Sequence, residues 1–203
     1  MRTLIVFMVL AVLCLPSSLY AQERPSSPRG EASTQVGGAY TDGSYSNGSW
    51  IVVDYSRPIL RGRTNLFGSG SEYGVAIRAD APVWRAGANV STRFMTERDL
   101  LFGDQRLPAG EYSLFIDLNN GDWTFILSNH KAKSSGRSEE EGLWGSYEYT
   151  PDLDVVRIPM TVSTNPLSVD QLTYSFVNMT QQGGTLAIMW DKELAMVDFA
   201  VSK

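Results

Sequence analysis

Two arginine-bearing knots hold the residue types best suited to chemistry. Val83-Trp84-Arg85-Ala86-Gly87-Ala88-Asn89 joins a large aromatic, a cation, a glycine and an amide, and Asp54-Tyr55-Ser56-Arg57-Pro58 is followed by Gly62-Arg63. A planar guanidinium binds two oxygens at once, and an asparagine amide both donates and accepts. Together they suit a carboxylate, a phosphate or sugar hydroxyls. Pro58 forces extended backbone on Arg57 and aims its side chain away from the strand end, while Gly87 reads as a tight turn after Arg85. Two readings stand side by side. In one, Arg57, Arg85 and Asn89 contact a small anionic or polyhydroxylated ligand, with Arg63 and Trp84 beside them. In the other, Asp54 or Asp80 pairs with Arg57, Arg63 or Arg85 and Asn89 caps loose backbone groups, so that the cluster is architecture.

The other reactive types narrow the mechanism. His130 is the one histidine, in Ser128-Asn129-His130-Lys131, and reads as an exposed loop residue. No Gly-x-Ser-x-Gly elbow accompanies it, and one imidazole cannot build a multi-histidine metal centre. No metal and no cofactor is therefore expected. A glycan hydrolase needs two carboxylates across a cleft, and Asp54, Glu72, Asp80, Asp99, Glu111, Asp117, Asp152 and Asp154 are available. The oxygens of Asp152-Leu153-Asp154 and Asp117-Leu118-Asn119-Asn120-Gly121-Asp122 also suit calcium. The second differs from an EF-hand loop in its early glycine and missing distal glutamate, and both read as turns. Among the aromatics, Trp144, Tyr147 and Tyr149 in Trp144-Gly145-Ser146-Tyr147-Glu148-Tyr149 form a candidate platform for stacking on sugar rings, in a carbohydrate-binding module or a hydrolase. Their alternative roles are core packing and loop anchoring.

The elements that must position these residues start after an export signal. Arg2 precedes an apolar run at 4–15, too short to span a bilayer, and Leu19-Tyr20-Ala21 places a small residue before a cut at Gln22. Residues 1–21 are expected to be a signal peptide, and the protein to be periplasmic or secreted. Cys14 leaves with the signal, so the mature chain has no thiol for a disulfide, a nucleophile or a metal site. Losing Arg2 takes 17 basic residues to 16 against 22 acidic ones, a net charge of −6. That balance opposes binding to nucleic acid or an anionic membrane surface, and no later stretch is apolar enough to span a membrane. Oligomeric state is not legible.

Residues 22–38 are rich in serine, glycine and proline and read as a disordered arm, with at most one edge strand. Residues 39–203 read as a single domain. Period-2 alternation runs through Ile51, Val53 and Tyr55; Tyr112, Leu114 and Ile116; Trp123, Phe125 and Leu127; Leu172, Tyr174 and Phe176; and Leu186, Ile188 and Trp190. Turns are expected at Asn119-Asn120-Gly121-Asp122, at Gln181-Gln182-Gly183-Gly184 and at Leu107-Pro108-Ala109-Gly110. Short helical turns are expected only at 168–171 and 66–77, and a mobile surface loop at 128–142. The fold class is all-β: an antiparallel two-sheet sandwich, jelly-roll-like or a flattened barrel, with eight or nine strands and little helix. An envelope scaffold presenting an exposed strand edge is a further functional reading.

The ordered strings Asp54-Tyr55-Ser56-Arg57-Pro58, Gly62-Arg63, Phe67-Gly68, Trp84-Arg85-Ala86-Gly87-Ala88-Asn89-Val90-Ser91-Thr92, Leu107-Pro108-Ala109-Gly110-Glu111-Tyr112-Ser113-Leu114-Phe115 and Trp144-Gly145-Ser146-Tyr147 resemble the bacterial exported family catalogued as domain of unknown function 2911. The likeness spans about 52–190. Residues 69–82 are longer than the link common at that place in the family. The resemblance implies export and a β-rich fold, and it brings no agreed catalytic residues to transfer.

Overall fold

The computed structural model describes residues 25–202. The expected signal peptide at 1–21 lies outside the described residues. The alternating runs form antiparallel strands: β1 (Arg29–Val36), β2 (Ala39–Thr41), β3 (Ser44–Ser46), β4 (Ser49–Ser56), β5 (Thr92–Thr96), β6 (Leu100–Phe102), β7 (Gln105–Leu107), β8 (Gly110–Asp117), β9 (Thr124–Ser128), β10 (Asp154–Pro159), β11 (Thr161–Thr180) and β12 (Gly183–Val201). One sheet has the order β1-β4-β5-β8-β9-β10 and the other β11-β12-β6-β7, while β2 and β3 pair as a separate hairpin. The expected all-β sandwich is present, as two open sheets and not a closed barrel. Its twelve strands exceed the eight or nine expected because β2, β3, β6 and β7 are only three residues long.

One expectation is sharpened and one corrected by backbone pairing that local composition hides. Residues 29–36, expected within a disordered arm that holds at most one edge strand, form that strand, β1, which runs antiparallel to β4 from Arg29 opposite Ser56 to Val36 opposite Ser49. An edge strand needs few large apolar side chains, because the ladder on one side holds it; only Val36 of the eight is buried. Residues 168–171 lie inside β11 rather than in a helical turn, at a stretch where the register with β12 shifts on both sides of Val169. The 66–77 segment does turn, through Gly70–Glu72 and a single helical turn α1 (Val75–Arg78). No helix among the described residues is long and apolar enough to cross a membrane.

The sheets share one core in which Ile51, Val53, Phe94, Leu114, Phe125, Leu186 and Ile188 are all buried. At one end the filling is aromatic: Trp84 and Trp190 stack with centroids 6.1 Å apart, and Phe67 and Trp123 meet Trp84 edge-on or nearly so. The outer face of β8 and β9 carries a satellite cluster of Val83, Phe115, Ile126, Leu143 and Tyr149. The charged loop is therefore pinned where Leu143 packs, and its backbone bridges Ala132 to Leu143.

Both open edges of the sandwich are joined across. Arg57 ties β1 to β11: its amide donates to Pro28 O at 2.8 Å, and Gln171 Nε2 donates to its carbonyl at 3.3 Å. At the far edge the Gln105 side chain of β7 serves as a surrogate strand partner. Its Nε2 donates to the Arg157 carbonyl at 2.9 Å and its Oε1 accepts the Arg157 amide at 2.8 Å.

Candidate functional site

Trp84 and Thr92 occupy neighbouring rungs on the same strand. Trp84 bridges Ile116 of β8, and Thr92 pairs with Leu114 two residues along, so residues 85–91 leave the sheet and return to it as a loop. Ala86 at the start of the loop is left-handed (φ 51°) and wholly buried. Its carbonyl accepts from Thr92 Oγ1 at 3.1 Å and from the Tyr174 hydroxyl at 2.8 Å. Burial pushes the Tyr174 phenol well above its ordinary range, so it stays a neutral donor. Gly87 is needed for space and not for a turn: a Cβ there would lie 2.7 Å from Thr92 Oγ1. Its carbonyl accepts the Trp84 indole N–H at 3.3 Å. The turn itself falls at Asn89, with φ 62°.

The loop holds Arg85 in a cage. Nη1 donates to Asn89 O at 2.9 Å, and the guanidinium lies 5.1 Å from the Tyr147 ring centroid. Gly145 forms the back wall, where a Cβ would stand 2.6 Å from Arg85 Cζ. Opposite, Arg63 donates through Nε to Leu60 O at 3.0 Å and through Nη2 to Ile59 O at 2.9 Å. Its guanidinium sits over the Trp190 ring, 5.7 Å from the centroid.

Arg63, Trp84, Arg85 and Asn89 thus line one cleft of about 320 Å³, with Trp190 and the apolar wall of Leu66, Ala76 and Ile77. No carboxylate among the described residues lines it. Among the described residues neither Arg63 nor Arg85 forms an ion pair, whereas Asp54 pairs with Arg29 and Arg93, Asp99 with Arg106, and Asp117 and Asp154 with Arg157. The expected pairing of Asp54 or Asp80 with the cluster is absent. Arg85 Nε and Nη2 and Arg63 Nη1 have no protein acceptor among the described residues. The Trp190 indole nitrogen is buried without an acceptor among the described residues.

Arg57 is not part of this cleft. Its side chain lies against Gly30 and donates through Nε to Leu172 O at 3.4 Å, so its work is to join the sheets. Nor do Trp144, Tyr147 and Tyr149 share a platform. Trp144 covers Gly136, Tyr147 supports Arg85, and Tyr149 is 7% exposed in the satellite cluster. The Tyr149 hydroxyl donates to Asp154 Oδ2 at 2.6 Å and accepts from Arg157 Nη1 at 3.1 Å. Burial, then the Asp154 carboxylate, raises its pKa strongly. His130 is half-buried and stays on the outer face, its Nε2 2.9 Å from Thr150 O. Of the carboxylates considered for hydrolysis or calcium, Asp54 and Glu111 flank Arg93 and Asp117 and Asp154 flank Arg157, and no group of three metal-ligating side chains forms among the described residues.

Sequence reasoning missed Trp190 and the wall formed by Leu66, Ala76 and Ile77. The signal for the wall was present: a few apolar residues recur in the glycine-rich 66–78 segment, where an exposed loop needs none.

A family model described as a protein of unknown function (DUF2911) matches residues 39–199, so the chain belongs to that family. No curated protein and no solved structure matches it.

Proposed function

We propose that this DUF2911 member is an exported, non-catalytic binding protein that takes a small anionic or polyhydroxylated ligand in the Arg63–Arg85 cleft. The observation that supports it is positive charge that the fold leaves uncompensated. In a chain with more acidic than basic residues, two guanidiniums face one cleft that no carboxylate among the described residues lines. Each is fixed by backbone carbonyls and an aromatic face, and each keeps donors unspent. Preorganised donors of this kind bind an oxyanion without first breaking an internal ion pair. The volume suits a metabolite-sized ligand, and the partly exposed wall of Leu66, Ala76 and Ile77 gives it a surface for a ring or a carbon face. The export signal at 1–21 supports a periplasmic or secreted setting.

The test is titration of the mature protein with glucuronate, citrate, glucose 6-phosphate, phosphate and the matching neutral sugars. Binding is followed by calorimetry and by tryptophan fluorescence. Saturable binding of at least one anion is expected, with Arg85→Gln and Arg63→Gln each weakening it by about tenfold, the worth of one charge-assisted hydrogen bond. Wild-type affinity in a folded Arg85→Gln protein, or neutral sugars binding as tightly as acids, would overturn the reading.

A further inference from the structure

We infer that the ligand is a segment of a linear acidic polysaccharide, which runs from the Arg63–Arg85 cleft across residues 89–91 into a second basic cleft. The inference rests on the binding reading above and extends it. The second cleft, about 450 Å³, is lined by Arg29, Val90, Ser91, Arg93, Lys133 and Glu140, among others. Two chain segments border both clefts. Asn89 lines the first and Val90 the second, and consecutive Cα atoms stand about 3.8 Å apart; Ser27 lines the first and Arg29 the second. Ser91 Oγ of the second cleft donates to Gly145 O at 2.5 Å, and Gly145 is the residue against which the Arg85 guanidinium rests.

Along this path lie Arg63, Arg85, Arg93, Arg29 and Lys133, against one lining carboxylate. That carboxylate, Glu140, is occupied by the Ser134 amide and hydroxyl, both at 3.1 Å, which hold its pKa below the ordinary value. Asp54 stands behind Arg29 and Arg93, and Glu111 pairs with Arg93. The guanidinium side chains nevertheless stay 53% and 37% exposed, so they keep outward donors. Lys133 has no ion pair among the described residues. A polymer with one carboxylate per sugar matches spaced, partly neutralised cations, with the exposed Ser134 among the lining for its hydroxyls. A nucleic acid carries denser charge and needs a stronger positive field than an acidic protein supplies.

The test uses the mature protein with galacturonate monomer, trimer and hexamer, and a six-base single-stranded oligonucleotide as the competing polyanion. Affinity is expected to rise at least tenfold from monomer to hexamer. Lys133→Gln, outside the ion-pair network and so safe for folding, lowers the hexamer-to-monomer ratio severalfold, and Arg93→Gln lowers it further. Arg85→Gln weakens every length. Equal affinity for monomer and hexamer, a ratio untouched by Lys133→Gln, or failure of every uronate length to bind overturns the inference; the small-anion panel then decides the first reading separately. Tighter binding of the oligonucleotide than of the hexamer overturns the polysaccharide class.

Discussion

Arg85 and Tyr147 are stacked, guanidinium over phenol ring at 5.1 Å, although 62 residues separate them in the chain. Tyr147 is 47% exposed and has no other visible employment. It keeps the cation turned toward the cleft instead of toward solvent. Tyr147→Ala should weaken anion binding about two- to fivefold, the range for an exposed cation–π contact. Thermal stability should change little. Calorimetric titration and a melting curve on the same protein separate the two effects.

Gly145 does the same work from behind. Its φ is 67°, and an added Cβ would stand 2.6 Å from Arg85 Cζ, so any side chain there must push the guanidinium aside. Gly145→Ala should cost about 1–2 kcal/mol for the left-handed backbone and reduce binding more than Tyr147→Ala does, because it displaces the guanidinium itself. Urea denaturation gives the first quantity and titration the second.

The buried carbonyl of Ala86 has two donors, Thr92 Oγ1 and the Tyr174 hydroxyl. Thr92→Val and Tyr174→Phe should each cost about 1 kcal/mol, and the double variant more than their sum, because the second loss strands the oxygen. A double-mutant cycle in urea measures that coupling. Strict additivity would show that the loop holds its shape without them.

Two carboxyls should bend the pH dependence in opposite directions. Burial, with Asp191 nearby, raises the Glu193 pKa above its ordinary 4.5. Its contribution to stability is complete below that value and is lost as pH rises through the raised one. The Ala109 amide, then Arg106, lower the Asp99 pKa below its ordinary 3.8. Its contribution is present above that value and disappears as pH falls through the lowered one. Glu193→Gln should therefore raise the melting temperature at neutral pH and flatten the curve on the alkaline side of pH 4.5. Asp99→Asn should flatten the acid limb, and melting curves from about pH 2.5 to 8 read both.

Period-2 alternation was enough to find β4, β8, β9 and β12, because each buries one face against a common core. It could not find β1, whose sequence Arg29-Gly30-Glu31-Ala32-Ser33-Thr34-Gln35-Val36 is held by its neighbour's backbone. Arg63, Trp84, Arg85 and Asn89 were legible as a cluster from their residue types, and the structure brings the four to one cleft. Arg57 does not join them in the cleft: its partner carbonyl belongs to Leu172, 115 residues away, and no local pattern carries that information. Trp190 was visible only as a core aromatic, since its place under Arg63 depends on how the second sheet crosses the first.

The excursion between Trp84 and Thr92 begins and ends on adjacent rungs of β8. Lengthening or shortening it therefore leaves every downstream strand in step. Such an insertion point lets selection, or an engineer, rewrite the side chains this loop presents while the scaffold beneath stays untouched.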